Sequence, residues 1–252
     1  MRRYRHLLSG LELDIDYQPI ISKHEDGKIR PEDFAEMLRK PQYIGGAISK
    51  DIKGTIADHI DEVDSFAANI GAVNTVVKID DKLVGFNTDA TGFELAIMKG
   101  MAGRDISRAV VYGYGGVTAV VVAVLKKMGI TVAITGRRPE EAAKRALALG
   151  ATMFDPTFRP QLFVNAAPIG DQELSNVTGF LDALSGCSVV FDHEMPGTNL
   201  RDYCESNGVV HIEGLAMYYP QMTAQWKLFL KDIISESLDI EALLMNAEKA
   251  GV

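Results

Sequence analysis

Only two cysteines, Cys187 and Cys204, occur in 252 residues. No disulfide framework can be built from that supply, so a reducing compartment, the cytoplasm, is the expected location. Long apolar runs are also missing. The longest, near Ala119 to Leu125, is far shorter than the roughly 20 residues that a membrane-spanning helix needs, and no membrane is expected as a partner. The basic start at Met1 to Arg5 is not followed by the apolar core of a signal peptide. Basic residues are in the minority, 26 Lys and Arg against 34 Asp and Glu, for a formal net charge of -8. That balance excludes a general nucleic-acid binder, because phosphate attracts basic surfaces. It still allows small anionic substrates in a locally basic pocket. The chain has no internal repeat and no low-complexity segment. None of its histidines (His6, His24, His59, His193 and His211) has another His or Cys at metal-ligand spacing, so no metal is expected. "NVT" at Asn176 matches a glycosylation acceptor pattern that a cytoplasmic chain leaves idle.

What the chain does have is 47% hydrophobic residues, enough for a sizeable core, arranged as short β-branched runs that alternate with helical patterns. "DYQPII" reads as a strand, "RPEDFAEMLRK" as a helix with Pro31 early, and "YIGGAIS" as a second strand. In "GTIADHIDEV", Ile56, Ile60 and Val63 recur at helical spacing. "AVNTVVKIDDKLVGFNTD" reads as a hairpin turning at Asp80-Asp81, with a helix to follow through Phe93 and Ile97. After the polar connector at residues 99–107 the pattern becomes strand, glycine-rich turn, helix in "RAVVYGYGGVTAVVVAVLKKMG". "TVAITGRR" with "PEEAAKRALALG" gives the next strand and helix, and "QLFVNAAPIG", "SVVFDHEMPG" and "VVHIEG" supply further strand ends. Each apolar run breaks into Gly, Pro or polar residues, as parallel strands buried on both faces do. The tail from Met217 onward reads as helical. The expected fold is α/β in two lobes: an N-terminal α/β lobe over 1–98, against which helices 218–252 pack back, and a doubly wound parallel-sheet lobe over 99–217.

Three motifs carry chemistry. Gly113, Gly115 and Gly116 lie between a strand and a helix, where glycines let the backbone approach a pyrophosphate at the helix N-terminus. The spacing is G-x-G-G and not the full G-x-G-x-x-G, and a plain glycine turn is the alternative. Arg137 and Arg138 end the next strand, about where an NAD-binding chain carries an acidic residue for the ribose. Arginines there can hold a 2′-phosphate by forked, charge-assisted hydrogen bonds, which favours NADP; two exposed arginines in a helix-entry loop are the alternative. In "GFNTDATGF", Asp89 sits at a strand-to-helix junction, yet Asn87, Thr88 and Asp89 are all good N-cap residues, and Asn74 can be read as a turn residue. His193, after the strand "VVFD", is a candidate for a site role and His59 reads as a surface residue, while the two cysteines read as buried thiols.

Taken in order along nearly the whole chain, these segments resemble the shikimate dehydrogenase family. "IGAVNTVV" with "LVGFNTDATGF" is similar to that family's "GAVNTVV…GxNTDxxGF", and "GYGGVTAV" to its "GAGGAARA" turn, with Ala119 where an Arg is usual. "TGRRPEEA" resembles "NRTxxrA", "FVNAAPIG" resembles "VVNATPxG", and "GLAMYYPQMTAQW" resembles "GxxMLVxQAxxxF". The resemblance implies a substrate lobe, an NADP lobe and a cleft between them. It also implies hydride transfer between NADPH and a cyclic ketone acid such as 3-dehydroshikimate, or a quinate-type relative, in a monomer or homodimer. The family's catalytic Lys, from "NVTxPHK", falls on Lys53 of "AISKDIK", and its Asp on Asp89. Hydride addition to a ketone needs a proton donor near the developing alkoxide, and a Lys oriented by a carboxylate can serve. Asn74, Gln221 and Ser49 take substrate-ligand positions; Gly214, Met217 and Ala167 fall on the cofactor side, with Gly113, Gly115, Gly116, Arg137 and Arg138. Lys50 falls where the family varies and reads as a solvated or rim charge. Ala47 replaces the motif's Asn, "KDI" replaces its "xPH", and the family's first strand and Ser-x-Ser motif do not occur. Two expectations follow from that difference: a start upstream of Met1, or a paralogue with another substrate, including a catalytically weak or regulatory NADP-binding one.

Overall fold

A computed structural model of the chain describes residues 8, 11, 13–20, 24–194, 199–235 and 237–249. The chain divides into two compact units, Met1–Asp89 with Tyr219–Val252, and Ala90–Tyr218.

The first unit opens with α1 (Pro31–Leu38), whose proline occupies the first turn, where its missing N–H has no partner to lose. Strands β1 (Gly45–Ala47), β2 (Glu62–Val63), β3 (Thr75–Ile79) and β4 (Lys82–Phe86) form a sheet in the order β1-β3-β4-β2. β3 and β4 are an antiparallel hairpin. Asp80 and Asp81 both have positive φ, 47° and 63°, the backbone that a two-residue hairpin turn demands. Helix α2 (Ser65–Ile70) is capped by Asp64, whose carboxylate accepts from Phe66 N and Ala67 N. Phe34, Leu38, Ile48, Ile52, Ile56, Val73, Val76 and Leu83 form the core. The glycines of β1 are dictated by that packing. A Cβ on Gly46 would lie 2.6 Å from the Phe34 ring, and one on Gly45 would lie 2.9 Å from the Phe229 ring.

Two expectations fail here. Residues 16–20 of "DYQPII" do not form a strand, consistent with Pro19, which has no ladder donor; Ile21 lies outside the described residues. The helix implied by Ile56, Ile60 and Val63 is only a 3-10 turn (Ile56–His59), because Ile60 is already extended and Val63 lies in β2. The Asp61 carboxylate takes the Leu83 N–H at 2.7 Å and both Arg39 amino groups at 2.8 and 3.0 Å, which ties this stretch to the sheet edge.

Helix α3 (Thr88–Gly100) leads into the second unit. There β5 (Arg108–Tyr112), β6 (Thr131–Thr135), β7 (Thr152–Met153), β8 (Leu162–Asn165), β9 (Val189–Asp192) and β10 (Val210–Glu213) form one sheet in the order β10-β9-β8-β5-β6-β7. Every pairing is parallel. The chain runs outward from β5 to β7, then returns to place β8 on the other side of β5. This is the doubly wound arrangement, and its switch point between β5 and β8 is where such sheets bind ligands, at the carboxyl ends of the strands. Helices α4 (Gly116–Lys127), α5 (Pro139–Ala148), α6 (Phe180–Leu184) and α7 (Asn199–Asn207) complete the unit. In its core Phe180 meets Tyr112 and Phe163 edge-on, with ring centroids 4.7 and 4.8 Å away. Cys187 and Cys204 are buried free thiols, 6% and 0% exposed, both pushed up to about 12 chiefly by burial. The C-terminal segment is not continuously helical: α8 (Leu215–Phe229) and α9 (Ile240–Lys249) are separated by turns.

Candidate active site

In the first unit, Lys53 stands in a turn whose backbone is pinned by the Val73 N–H donating to the Lys53 carbonyl at 2.8 Å. Asp89 stands in the first turn of α3, at the end of the hairpin. Their side chains meet: Lys53 Nζ donates to Asp89 Oδ2 at 2.5 Å, and the two are 30% and 21% exposed. The pair is neither sealed in a core nor loose on the surface. An ammonium group has three N–H donors. With one on Asp89, the others have no partner among the described residues. Lys50, by contrast, is exposed.

Beside the pair lies a polar network that leaves little trace in the sequence. Thr88 Oγ1 accepts from Asn74 Nδ2 at 3.0 Å and from Gln221 Nε2 at 2.9 Å, and the Thr88 N–H donates to Asn74 Oδ1 at 2.8 Å. Thr75 Oγ1 donates to Asn74 Oδ1 at 2.8 Å, and Gln225 Nε2 donates to Thr75 Oγ1 at 2.8 Å. Asn74, Thr75, Thr88 and Gln225 are all buried. Asn74 and Gln221 therefore arrive with one amide N–H each already committed to Thr88. Thr88 was legible only as a helix-cap residue, and Thr75 and Gln225 carried no signal beyond being polar in apolar surroundings. Ser49 is not part of this network. It is exposed and lines a separate cavity of about 580 Å³ with Phe34, Tyr43, Ile52, Trp226 and Phe229.

In the second unit, the glycine turn follows β5 at the switch point. Gly113 has φ 131°, and a Cβ there would sit 2.8 Å from the carbonyl of Ala166, so the turn can pass the β8 loop only as glycine. Gly115 and Gly116 face open space, with no heavy atom within 4 Å of a Cβ on either. The first N–H groups of α4 receive no side-chain cap. A cavity of about 180 Å³ opens here, lined by Gly113, Gly115, Arg137, Arg138 and Ala167, and also by Tyr114 and Gly136. Arg137 and Arg138 are exposed at its mouth. Bare glycines, uncapped helix N–H groups and two guanidiniums form a donor set that fits the phosphates of a dinucleotide. Gly116 begins α4 behind this lining, and Gly214 and Met217 lie outside it. Gly214 is needed for another reason: a Cβ would come within 2.9 Å of the His193 and Glu194 carbonyls.

The loop wall of this cavity is fixed from below. Asn165 and Asp192 end the neighbouring strands β8 and β9, and Asn165 Nδ2 donates to Asp192 Oδ1 at 2.9 Å. Asn165 Oδ1 accepts from the Ala167 N–H at 3.2 Å. Two residues missed by the sequence reading also touch the turn. Arg145 donates to the Gly115 carbonyl at 3.3 Å, and Tyr114 OH accepts from Arg138 Nε at 2.9 Å. A basic residue two turns into α5 and an aromatic inside a glycine turn were the available signals. Among the described residues no cluster of His, Cys, Asp and Glu could hold a metal ion, and no helix is long and apolar enough to cross a membrane.

No protein-family model matches the chain. It is 34% identical over 192 residues to "Shikimate dehydrogenase (NADP(+))" of a Thermus thermophilus strain, a stretch covering 74% of this chain and 72% of that enzyme. The chain belongs to the shikimate dehydrogenase family. A second relative of the same name, from Pseudarthrobacter chlorophenolicus, is 33% identical over 173 residues; the match spans 67% of this chain and 56% of that relative's own length. A solved member of the shikimate dehydrogenase family, a Thermus thermophilus enzyme in complex with shikimate, superposes with a TM-score of 0.76 at 26% identity, over 100% of this chain and 93% of that one.

Proposed function

We propose that the protein is an NADP-dependent oxidoreductase that transfers a hydride reversibly between NADPH and a ketone on a small cyclic hydroxy acid of the 3-dehydroshikimate kind. The observation that carries this reading is the Lys53–Asp89 pair, 2.5 Å apart and part-buried, beside the Asn74–Thr88–Gln221 network. The unit with the four-stranded sheet is the substrate unit, and the unit with the six-stranded sheet is the NADP unit.

NADPH, when bound, supplies the hydride; Gly113, Gly115, Arg137, Arg138 and Ala167 are the residues that would hold it. The rest falls to groups of this chain. A ketone that accepts a hydride becomes an alkoxide, and it needs a proton and a cationic partner. Lys53 carries both, and its bond to Asp89 fixes where Nζ points. Asn74 and Gln221 hold ring hydroxyls with the amide N–H each has left, while Thr88 keeps both amides from rotating away. In the alcohol-to-ketone direction the same Lys53 nitrogen receives the hydroxyl proton.

The test is a panel of ring acids, including shikimate and quinate, supplied with NADP+ and followed by NADPH absorbance. Turnover of at least one, sharply lowered by Lys53→Ala, is the expected result. Tight NADPH binding with no turnover across the panel would overturn the catalytic reading and favour a regulatory NADP-binding protein.

A further inference from the structure

Tyr114 sits between Gly113 and Gly115, where the glycine turn itself demands only small residues. Its ring reaches sideways to the end of the adjacent strand. A Cβ on Gly136 would lie 2.8 Å from Tyr114 Cε1 and 2.9 Å from Cδ1, so residue 136 must be glycine for the ring to lie there. That is the point, at the end of β6, where a doubly wound fold makes its contact with the ribose. Tyr114 then takes hold of Arg138. Its hydroxyl accepts from Arg138 Nε at 2.9 Å, and the guanidinium carbon is 5.5 Å from the ring centroid, within cation–π range. Arg138 is otherwise an exposed side chain with many rotamers. Because Tyr114 occupies Nε, the two terminal amino groups, the fork that binds phosphate in bidentate fashion, are left unbonded among the described residues. Carboxylates nearby do not capture that fork either. Glu141, in the first turn of α5, is taken by Lys144 at 3.0 Å. Tyr114, Gly136, Arg137 and Arg138 all line the same 180 Å³ cavity.

We propose that Tyr114 is a specificity-determining residue for the nucleotide: it holds Arg138 so that its forked end, together with Arg137, receives the 2′-phosphate of NADP. This rests on the NADP reading of the site, but not on which ring acid is the substrate. The couple works by fixing a guanidinium before binding, so less side-chain freedom is lost when the phosphate arrives.

Isothermal titration calorimetry with NADP+ and NAD+ tests it on the full chain. Tyr114→Phe keeps the ring over Gly136 and removes the hydroxyl, so it should fold as the parent does, which thermal unfolding checks. It should weaken NADP+ by about 3- to 10-fold, the scale of one ordinary hydrogen bond's net contribution, and NAD+ by less than about 2-fold. Arg138→Ala should weaken NADP+ further, and the Tyr114→Phe/Arg138→Ala double variant should be no weaker than Arg138→Ala alone, because the two act as one unit. Equal losses for the two nucleotides, an unchanged NADP+ affinity in Tyr114→Phe, or additive losses in the double variant would each overturn the role of Tyr114. A parent protein with no preference for NADP+ over NAD+ would overturn the NADP reading along with it, whereas a parent that prefers NADP+ with an unaffected Tyr114→Phe would remove Tyr114 alone.

Discussion

The side-chain amide of Gln221 donates to the hydroxyl of Thr88 at 2.9 Å, a link between residues 133 positions apart in the chain. The same hydroxyl accepts from Asn74, so one threonine positions two amides, one beside β3 and one on helix α8. Thr88→Val keeps the shape and removes the acceptor. It strands two amide donors next to a 3% exposed position. A loss of about 1–3 kcal/mol of stability is expected by urea unfolding, together with a raised KM for the ring acid, because Asn74 and Gln221 lose their common anchor. Thr88→Ser should restore both. Full stability in Thr88→Val would mean that the network contributes nothing to the fold.

The Lys53–Asp89 pair predicts an asymmetric result. Lys53→Ala removes the proposed proton donor and should lower kcat by about 10²- to 10⁴-fold. Asp89→Asn keeps a hydrogen-bond acceptor and loses the charge, so it should lower kcat by less. NADP+ affinity, measured by calorimetry without ring acid, should stay within about 2-fold of the parent in both, because neither side chain lines the nucleotide cavity. A Lys53→Ala variant with parental kcat would remove Lys53 from the chemistry.

The parallel sheet was legible because strands buried on both faces carry unbroken apolar runs, as Ala109 to Tyr112 of β5, Leu162 to Val164 of β8 and Val189 to Phe191 of β9 do. The glycine turn was legible because Gly113 is forced by a backbone contact, and backbone demands leave a mark on residue type. The Lys53–Asp89 pair came from matching segments rather than from any local pattern, since the two lie 36 positions apart. Side-chain couplings across distance were not legible. Gln225 reaches Thr75 over 150 positions, and nothing near Gln225 announces it. Ile56, Ile60 and Val63 misled because helical spacing in a short apolar stretch competes with sheet pairing, and here the Asp61–Leu83 contact decides for the sheet. Tyr114 leaves no mark of its own in the sequence, because the glycines around it account for the turn alone.

Asn165 and Asp192, 0% and 2% exposed, predict a second stability effect that carries over to cofactor binding. Asn165→Ala leaves a buried carboxylate without its amide partner and the Ala167 N–H without its acceptor. A loss of about 1–3 kcal/mol in urea unfolding is expected, with weaker binding of both NADP+ and NAD+ as the Ala166–Pro168 wall loosens. Unlike Tyr114→Phe, this variant should not discriminate between the two nucleotides. A selective loss of NADP+ would show that the wall reads the 2′-phosphate, contrary to its place below the cavity.

His211 predicts the pH dependence of stability. It lies on β10 with Nε2 buried and without a hydrogen-bond partner among the described residues. Burial holds its pKa below the ordinary 6.5, and the Arg201 guanidinium acts the same way, while Asp192, Glu213 and Glu205 pull it upward. Because the folded pKa is depressed, the unfolded chain binds the proton more readily. Stability from this site is therefore present above 6.5 and is lost as the pH falls through 6.5 toward the folded value. Glu194 carries the opposite sign: burial raises its pKa above the ordinary 4.5, so its effect is a loss of stability as the pH rises through its own range. Comparing His211→Gln with the parent separates the two, because Glu194 is common to both. Urea midpoints measured from about pH 7 down to about pH 5 should fall more steeply for the parent than for His211→Gln, which cannot titrate there. Parallel curves would mean that His211 takes up its proton as easily folded as unfolded, and that the buried Nε2 is reached by water.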